Sequence, residues 1–128
     1  EMSSTVAIID DDKQVLEAIA MFLEIGGWQV LTFLTGEAFI AELPSIAPRL
    51  ACAIVDPHLP GICGAEVARS LASSSPAIPF VGITARPEST VAEAVCAAGA
   101  RELFVKPVDP AELTDAIGRA IDSRRRGS

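Results

Sequence analysis

No apolar run in this 128-residue chain approaches the length of a membrane span, although half of its residues are hydrophobic. The N-terminal stretch also lacks the layout of a signal peptide, so a soluble, cytoplasmic protein without membrane contact is expected. The three cysteines, Cys52, Cys63 and Cys96, are odd in number and form no CxxC pair. Cys52 falls in an apolar run and Cys96 in an Ala-rich stretch, which reads as reduced, packed thiols rather than a disulfide framework. Positive charge is scarce. Ten Lys and Arg against 17 Asp and Glu leave a net charge of −7, which argues against direct nucleic-acid binding by this chain. Arg124-Arg125-Arg126 is a short basic stretch, read as a solvated terminus or linker. There is no repeat of solenoid length and no low-complexity segment. The length suits one domain with one substantial core, placed at residues 5–123 with 1–4 and 124–128 as tails.

What is present alternates. A short apolar run at 6–9 stops at Asp10-Asp11-Asp12. A helical pattern follows, with Val15, Leu16, Ile19, Phe22 and Leu23 on one face and a stop at Gly26-Gly27. Residues 28–33 read as a second strand. Thr35 suits the cap of a helix carrying Phe39, Ile40 and Leu43, which Pro44 is expected to close. A third strand ends at Asp56, and a Pro/Gly loop leads to a helix over 64–71. Residues 73–76 form a loop, 80–83 a fourth strand ending in Thr84, and 88–98 a helix closed by Gly99. A fifth strand at 103–105 ends in Lys106-Pro107, and Asp109-Pro110 opens the last helix. Five strand–helix alternations with short connections call for a parallel sheet covered by helices on both faces.

The stretch from Ala51 to Pro60 organises the rest. Five apolar residues run straight into one carboxylate, and two prolines then forbid a helix. Such a run suits a strand buried on both faces, in the middle of a parallel sheet. Pro57 biases Asp56 away from helical dihedrals, which places the acid at the strand's end. A carboxylate there is costly unless something pairs with it.

Ligands of open parallel sheets bind at the carboxyl ends of the strands. Every core strand but the second delivers a polar group there: Asp10 and Asp11, then Asp56, then Thr84, then Lys106. The plain alternative is that strands simply end in polar turn residues. That accounts for Asp10 and Asp12, since Asp also caps helices, but not for Lys106 between Val105 and Pro107. Three clustered carboxylates repel, two unit charges about 4 Å apart by roughly 4 kcal/mol at an effective dielectric of 20. The pocket therefore wants cations, and Lys106 is the one fixed cation available. Few carboxylates with room for waters and phosphate oxygens fit Mg²⁺ better than an all-protein Ca²⁺ cage. A metal, a lysine and a hydroxyl around one carboxylate form a constellation for phosphoryl transfer, with Asp56 as nucleophile.

At these residues the chain resembles the receiver domain of two-component response regulators, over nearly its whole length. Val6 to Asp11 matches the family's apolar strand and acidic pair. Asp56 to Glu66 matches its phosphoacceptor loop, with Pro60, Gly64 and Glu66 in register. Ile83-Thr84-Ala85 matches the hydroxyl position, and Ala98-Gly99-Ala100 with Val105-Lys106-Pro107 matches the lysine segment. The resemblance implies a flavodoxin-like α/β fold, (βα)5 and doubly wound, its five-stranded parallel sheet in the order 2-1-3-4-5. It implies Mg²⁺ bound by Asp11 and Asp56, by Asp10 through water, and by the backbone carbonyl of His58. Asp56 would be the phosphoacceptor, assisted by Thr84 and Lys106, and the Lys106–Pro107 bond would be cis. A sensor histidine kinase or phosphotransfer protein would be the partner. An output domain or effector beyond the C-terminus and a homodimer are further partners the family offers.

Three positions depart from the family pattern. Cys63 stands where an acid is common and reads as a loop residue without a metal role. His58, two residues past the phosphoacceptor, is either a solvated loop side chain or a tuner of phosphoryl lifetime. Leu103 replaces the aromatic residue usual three before the lysine, so output is expected through the loop after strand four and the helix that follows. Other chemistries fit less well. A haloacid-dehalogenase-type phosphatase needs a second Asp two residues after the first, where His58 stands. A flavodoxin-like FMN carrier wants a Ser/Thr/Gly phosphate loop, and Asp10-Asp11-Asp12 would repel that phosphate. A receiver that signals without phosphorylation would lack part of this set, and nothing essential is missing.

Overall fold

The computed structural model describes residues 5–127; the expected tail at 1–4 and residue 128 of the expected tail at 124–128 lie outside the described residues. Five parallel strands run β1 (Thr5–Ile9), β2 (Gln29–Phe33), β3 (Leu50–Val55), β4 (Phe80–Thr84) and β5 (Leu103–Val105), in the order 2-1-3-4-5. The helices between and after them are α1 (Lys13–Ile25), α2 (Gly36–Ile46), α3 (Gly64–Ala72), α4 (Thr90–Ala97) and α5 (Pro110–Gly127), with a short 3-10 turn at Ala47–Arg49. The doubly wound α/β architecture expected from the alternation is present.

Strand pleating explains the two cores. Along β1 and β3, Ala7, Ile9, Ala53 and Val55 face one side of the sheet, and Val6, Ile8, Cys52 and Ile54 the other. Phe39, Leu43 and Ile46 of α2, Val67 and Leu71 of α3 and Val95 of α4 cover the first side. Leu16, Ile19 and Leu23 of α1 and Leu113, Ile117 and Ile121 of α5 cover the second. Every residue of β1 and β3 is buried, as continuous apolar runs in a parallel sheet demand. The Cys52 thiol lies wholly inside, and burial pushes its pKa up to about 12, which leaves it an inert packing group.

Packing overrides local signals in three places. Phe22, expected on the buried face of α1, is 40% exposed; Leu16, Ile19 and Leu23 are the buried residues of the seam, with Val15 and Ala20 packed partly against it. Pro44 does not close α2 but lies within it. It removes the amide that would bond the Ile40 carbonyl, a loss offset because continuing the helix buries Ile46 beside Leu43. The tail expected from residue 124 is helical instead. α5 runs to Gly127, and the half-buried Arg124 donates to the Leu50 carbonyl at 2.9 Å. Arginine is a good helix former, and positive charge suits a helix C-terminus.

The caps expected from sequence hold. Thr35 Oγ1 accepts from the Ala38 amide at 3.1 Å, and Asp109 Oδ1 from Ala111 at 2.9 Å. The Lys106–Pro107 bond is cis, as the resemblance implies, and so is Ser75–Pro76.

Phe39 is fully buried and meets the Phe33 ring edge-on at 5.3 Å between centroids. Phe39→Ala should therefore destabilise the fold by about 3–5 kcal/mol. Phe22→Ala should cost clearly less than Phe39→Ala, because 40% of the Phe22 surface stays in water in the folded state. Urea denaturation of the two variants beside the wild type checks this; similar losses would mean that the burial of α1 is misassigned.

Candidate functional site

The order 2-1-3-4-5 reverses direction between β1 and β3, and that is where the buried acids stand. Their backbones are fixed by the last bonds of the sheet ladder. The Asp56 amide donates to the Ile9 carbonyl at 3.0 Å, and the Asp10 amide to the Phe33 carbonyl at 3.1 Å. Asp12, rather than Asp10, caps α1: its Oδ1 accepts from the amides of Gln14 and Val15. Asp10 Oδ1 instead accepts from the Asp12 amide at 2.8 Å, which turns its other oxygen into the site.

Lys106 joins the two carboxylates. Its Nζ lies 2.9 Å from Asp10 Oδ2 and 2.9 Å from Asp56 Oδ2. The second contact is a hydrogen bond. The first has the distance of an ion pair without hydrogen-bond geometry, so Asp10 Oδ2 is buried with no hydrogen-bond donor. Asp10 is fully buried, Asp56 nearly so, and Asp11 is exposed. Ligand oxygens of all three lie within 4.8 Å of one another, the one such acidic cluster among the described residues. Oxygen donors in this number, with one acid open to solvent, suit a hard divalent ion that keeps several waters. The buried Asp10 carboxylate shares its one cation with Asp56, and its Oδ2 lacks a hydrogen-bond donor, so the residues fit Mg²⁺.

Electrostatics follow from this crowding. Burial raises the Asp10 carboxyl from an ordinary 3.8 to about 6; the negative charge of Asp56 adds to the rise, while the Asp12 amide and Lys106 oppose it. For Lys106, partial burial works against the charge, but its bonds to Asp10 and Asp56 outweigh that and raise its pKa.

Thr84 is fully buried at the end of β4, and its hydroxyl accepts from the Arg86 amide at 3.0 Å. Its carbonyl accepts from the Lys106 amide at 2.8 Å, so β4–β5 pairing brings the hydroxyl-bearing and lysine-bearing residues together. His58 contributes its amide, which donates to Asp56 Oδ1 at 2.8 Å. Its ring reaches away from the acids: Nδ1 lies 3.2 Å from Arg86 Nη2, and Nε2 lies 2.9 Å from Ser89 Oγ. His58 is therefore no freely solvated loop side chain. Gly64 allows α3 to start directly beneath the loop, since a Cβ there would stand 2.5 Å from the Asp56 carbonyl and from Pro57 Cα. Cys63 precedes α3 as its N-cap and makes no side-chain cap bond.

Three neighbours of the site carry little sequence signal. Glu37, in the first turn of α2, accepts the Ile62 amide at 3.0 Å and so holds the loop from across the sheet edge. Arg86 and Ser89 meet His58 from the next loop. Ser89 is recognisable as a helix cap, but its partner 31 residues away is visible only in the fold.

Residues 6–118 match the family model described as the response regulator receiver domain. The chain is 31% identical over 121 residues to response regulator protein TmoT of Ectopseudomonas mendocina, covering 94% of this chain and 54% of that protein. Transcriptional regulatory protein FixJ of Rhizobium meliloti is also 31% identical, over 118 residues, covering 92% of this chain and 57% of that one. The chain thus spans about half the length of these relatives. A solved response regulator receiver domain from Clostridium thermocellum superposes with a TM-score of 0.88 at 25% identity, covering 98% of this chain and 99% of that one.

The raised carboxyl of Asp10 gives a testable pH dependence for the metal-free protein. The folded state holds this proton more tightly than the unfolded chain, so between about pH 4 and 6 it binds more protons. The stability contributed by this group therefore falls as pH rises through that window and is constant above it. Melting temperatures in chelator should show wild type losing ground to Asp10→Asn from about pH 4 to 6, then a level difference. A difference unchanged across the window would contradict the assignment.

Proposed function

The chain belongs to the response regulator receiver domain family, and from that membership we propose that it is a Mg²⁺-dependent phosphoacceptor switch centred on Asp56. The observation that carries the proposal is Lys106 Nζ at 2.9 Å from both Asp10 and Asp56, beside a cluster of three acids at the switch point of the sheet. A receiver domain is a signalling module, and on this reading its chemistry is confined to its own aspartate.

In the proposed step one Asp56 carboxylate oxygen attacks the phosphorus of the donor. An O–P bond forms, and the bond from phosphorus to the leaving group breaks with its electron pair. The donor would be the phosphohistidine of a sensor histidine kinase or phosphotransfer protein. Asp10, Asp11, Asp56 and the carbonyl of His58 would hold Mg²⁺, whose charge would offset that of the carboxylate and phosphoryl oxygens. Ladder bonds and the His58 amide hold the Asp56 carboxylate in one orientation before reaction. Lys106 already stands beside the reacting oxygens, so its ammonium needs little movement to follow the charge onto the phosphoryl group. The Thr84 hydroxyl would donate to that group.

In relatives about twice as long, the remaining half is where an output function would sit, and we assign the same arrangement to the protein that carries this chain. Effector docking and homodimerisation are the proposed routes of output, with no direct nucleic-acid or membrane contact by this domain. No helix among the described residues is long and apolar enough to cross a membrane. The three cysteines are free, and a cytoplasmic location is proposed on that basis.

With acetyl phosphate and Mg²⁺, intact-protein mass spectrometry should show one phosphoryl group added. Chelator or Asp56→Ala should abolish the addition, and uptake by Asp56→Ala equal to wild type would sink the assignment. Mg²⁺ should also stabilise the fold, by about 2.7 kcal/mol at a hundred times its Kd. Asp11→Asn should lose most of that gain. A wild-type melting temperature indifferent to Mg²⁺ would speak against the metal site.

A further inference from the structure

The His58 ring stands between two loops that the sheet alone does not connect. Arginine only donates, so His58 Nδ1 must accept from Arg86 Nη2. The ring proton then sits on Nε2 and is donated to Ser89 Oγ, 2.9 Å away. Ser89 Oγ also accepts from the Ala92 amide at 3.1 Å, the N-cap bond of α4. One hydroxyl oxygen thus closes the first turn of α4 and receives the side chain whose own amide holds Asp56 Oδ1. The chain of contacts runs from Asp56 Oδ1 through the His58 amide and ring to the Ser89 hydroxyl and the first turn of α4.

The other path out of the site is obstructed. Leu103 on β5 is paired with Gly82 on β4, and a Cβ at Gly82 would lie 2.7 Å from Leu103 Cδ1. The leucine thus already fills the space above Gly82, on the side where Val95 of α4 packs. It carries no polar end to exchange between partners.

We propose that His58 is a positioning residue that ties the N-cap of α4 to the phosphoacceptor loop, so that a change at Asp56 reaches α4 through the His58–Ser89 hydrogen bond rather than through the side chain at 103. This rests on the phosphoacceptor reading above. It adds a specific carrier: displacement of the His58 backbone by a new group on Asp56 moves the ring, and the ring moves or releases the oxygen that caps α4. Arg86 keeps the ring in the orientation that makes this contact.

The test uses amide chemical shifts of the whole chain, first free and then with Mg²⁺ and beryllium fluoride as the phosphoryl mimic. Ser89→Gly removes the hydroxyl while leaving a residue well tolerated at an N-cap. Ser89→Thr keeps the hydroxyl. In wild type and Ser89→Thr, the mimic should shift amides both at the site (Asp11, Thr84) and in the first turn of α4 (Thr90 to Glu93). In Ser89→Gly the site amides should respond as in wild type, while those of α4 lose most of their response, a several-fold drop. Undiminished α4 shifts in Ser89→Gly would overturn the proposal. Should Ser89→Gly fold poorly, His58→Leu provides the second cut, and α4 shifts of wild-type size there would overturn it equally. A wild type silent at Asp11 and Thr84 would instead overturn the phosphoacceptor reading, and this inference with it.

Discussion

One ammonium group shared by two buried carboxylates is the constraint on which the site depends. Asp10 and Asp56 are both withdrawn from water, and Lys106 stands 2.9 Å from each. Burial raises the Asp10 carboxyl to about 6, and the neighbouring charge of Asp56 adds to the rise while Lys106, shared between the two acids, only partly opposes it. A fully relaxed pocket would have evolved away the repulsion. Here the sheet prevents relaxation, because ladder bonds lock both backbones at the ends of fully buried strands. Charge strain of this kind is stored stably only where the surrounding core is rigid. It is also the property that makes the pocket receptive to a divalent ion.

The strand ends were legible in the sequence because the physics there is local. A buried parallel strand needs an unbroken apolar run, and the position at its end is the first free to be polar; Asp10, Asp56 and Thr84 follow that rule, and Lys106 ends the partly buried edge strand β5. The caps at Thr35 and Asp109 were legible for the same reason. What escaped was set by contacts distant in sequence. Phe22 satisfies the helical period but lies at the edge of the seam, 40% exposed. Pro44 breaks a local rule, and α2 continues because Ile46 gains a place in the core. The Glu37–Ile62 and His58–Ser89 bonds join residues 25 and 31 positions apart, and no spacing rule in a single sequence encodes them.

These distant bonds tie the loop after Asp56 to two helices on the same face of the sheet. Glu37 binds it to α2 at Ile62, and His58 binds it to α4 at Ser89. The opposite face is attached differently: α1 begins at Asp12, whose amide is held by Asp10 and not by the loop. A perturbation of the loop is thus coupled more directly to α2 and α4 than to α1 or α5. The asymmetry arises from side chains, since the sheet itself is covered on both faces.

Magnitudes decide whether so slender a link is adequate. A neutral hydrogen bond contributes about 0.5–1.5 kcal/mol net, and a serine N-cap about 1 kcal/mol. Allosteric couplings in proteins are typically 1–3 kcal/mol, and 1 kcal/mol already shifts a two-state equilibrium about fivefold. The Ser89 oxygen takes part in both kinds of bond, so losing or redirecting it changes α4 by an amount within that range. Rotating a large aromatic side chain into the core would also supply such an energy, through buried area. Leu103 offers less area to exchange and is already seated over Gly82. A small domain needs only a free-energy difference comparable to one or two hydrogen bonds to act as a switch, and in this chain polar contacts at the first turn of α4 are of that size without an aromatic side chain at position 103.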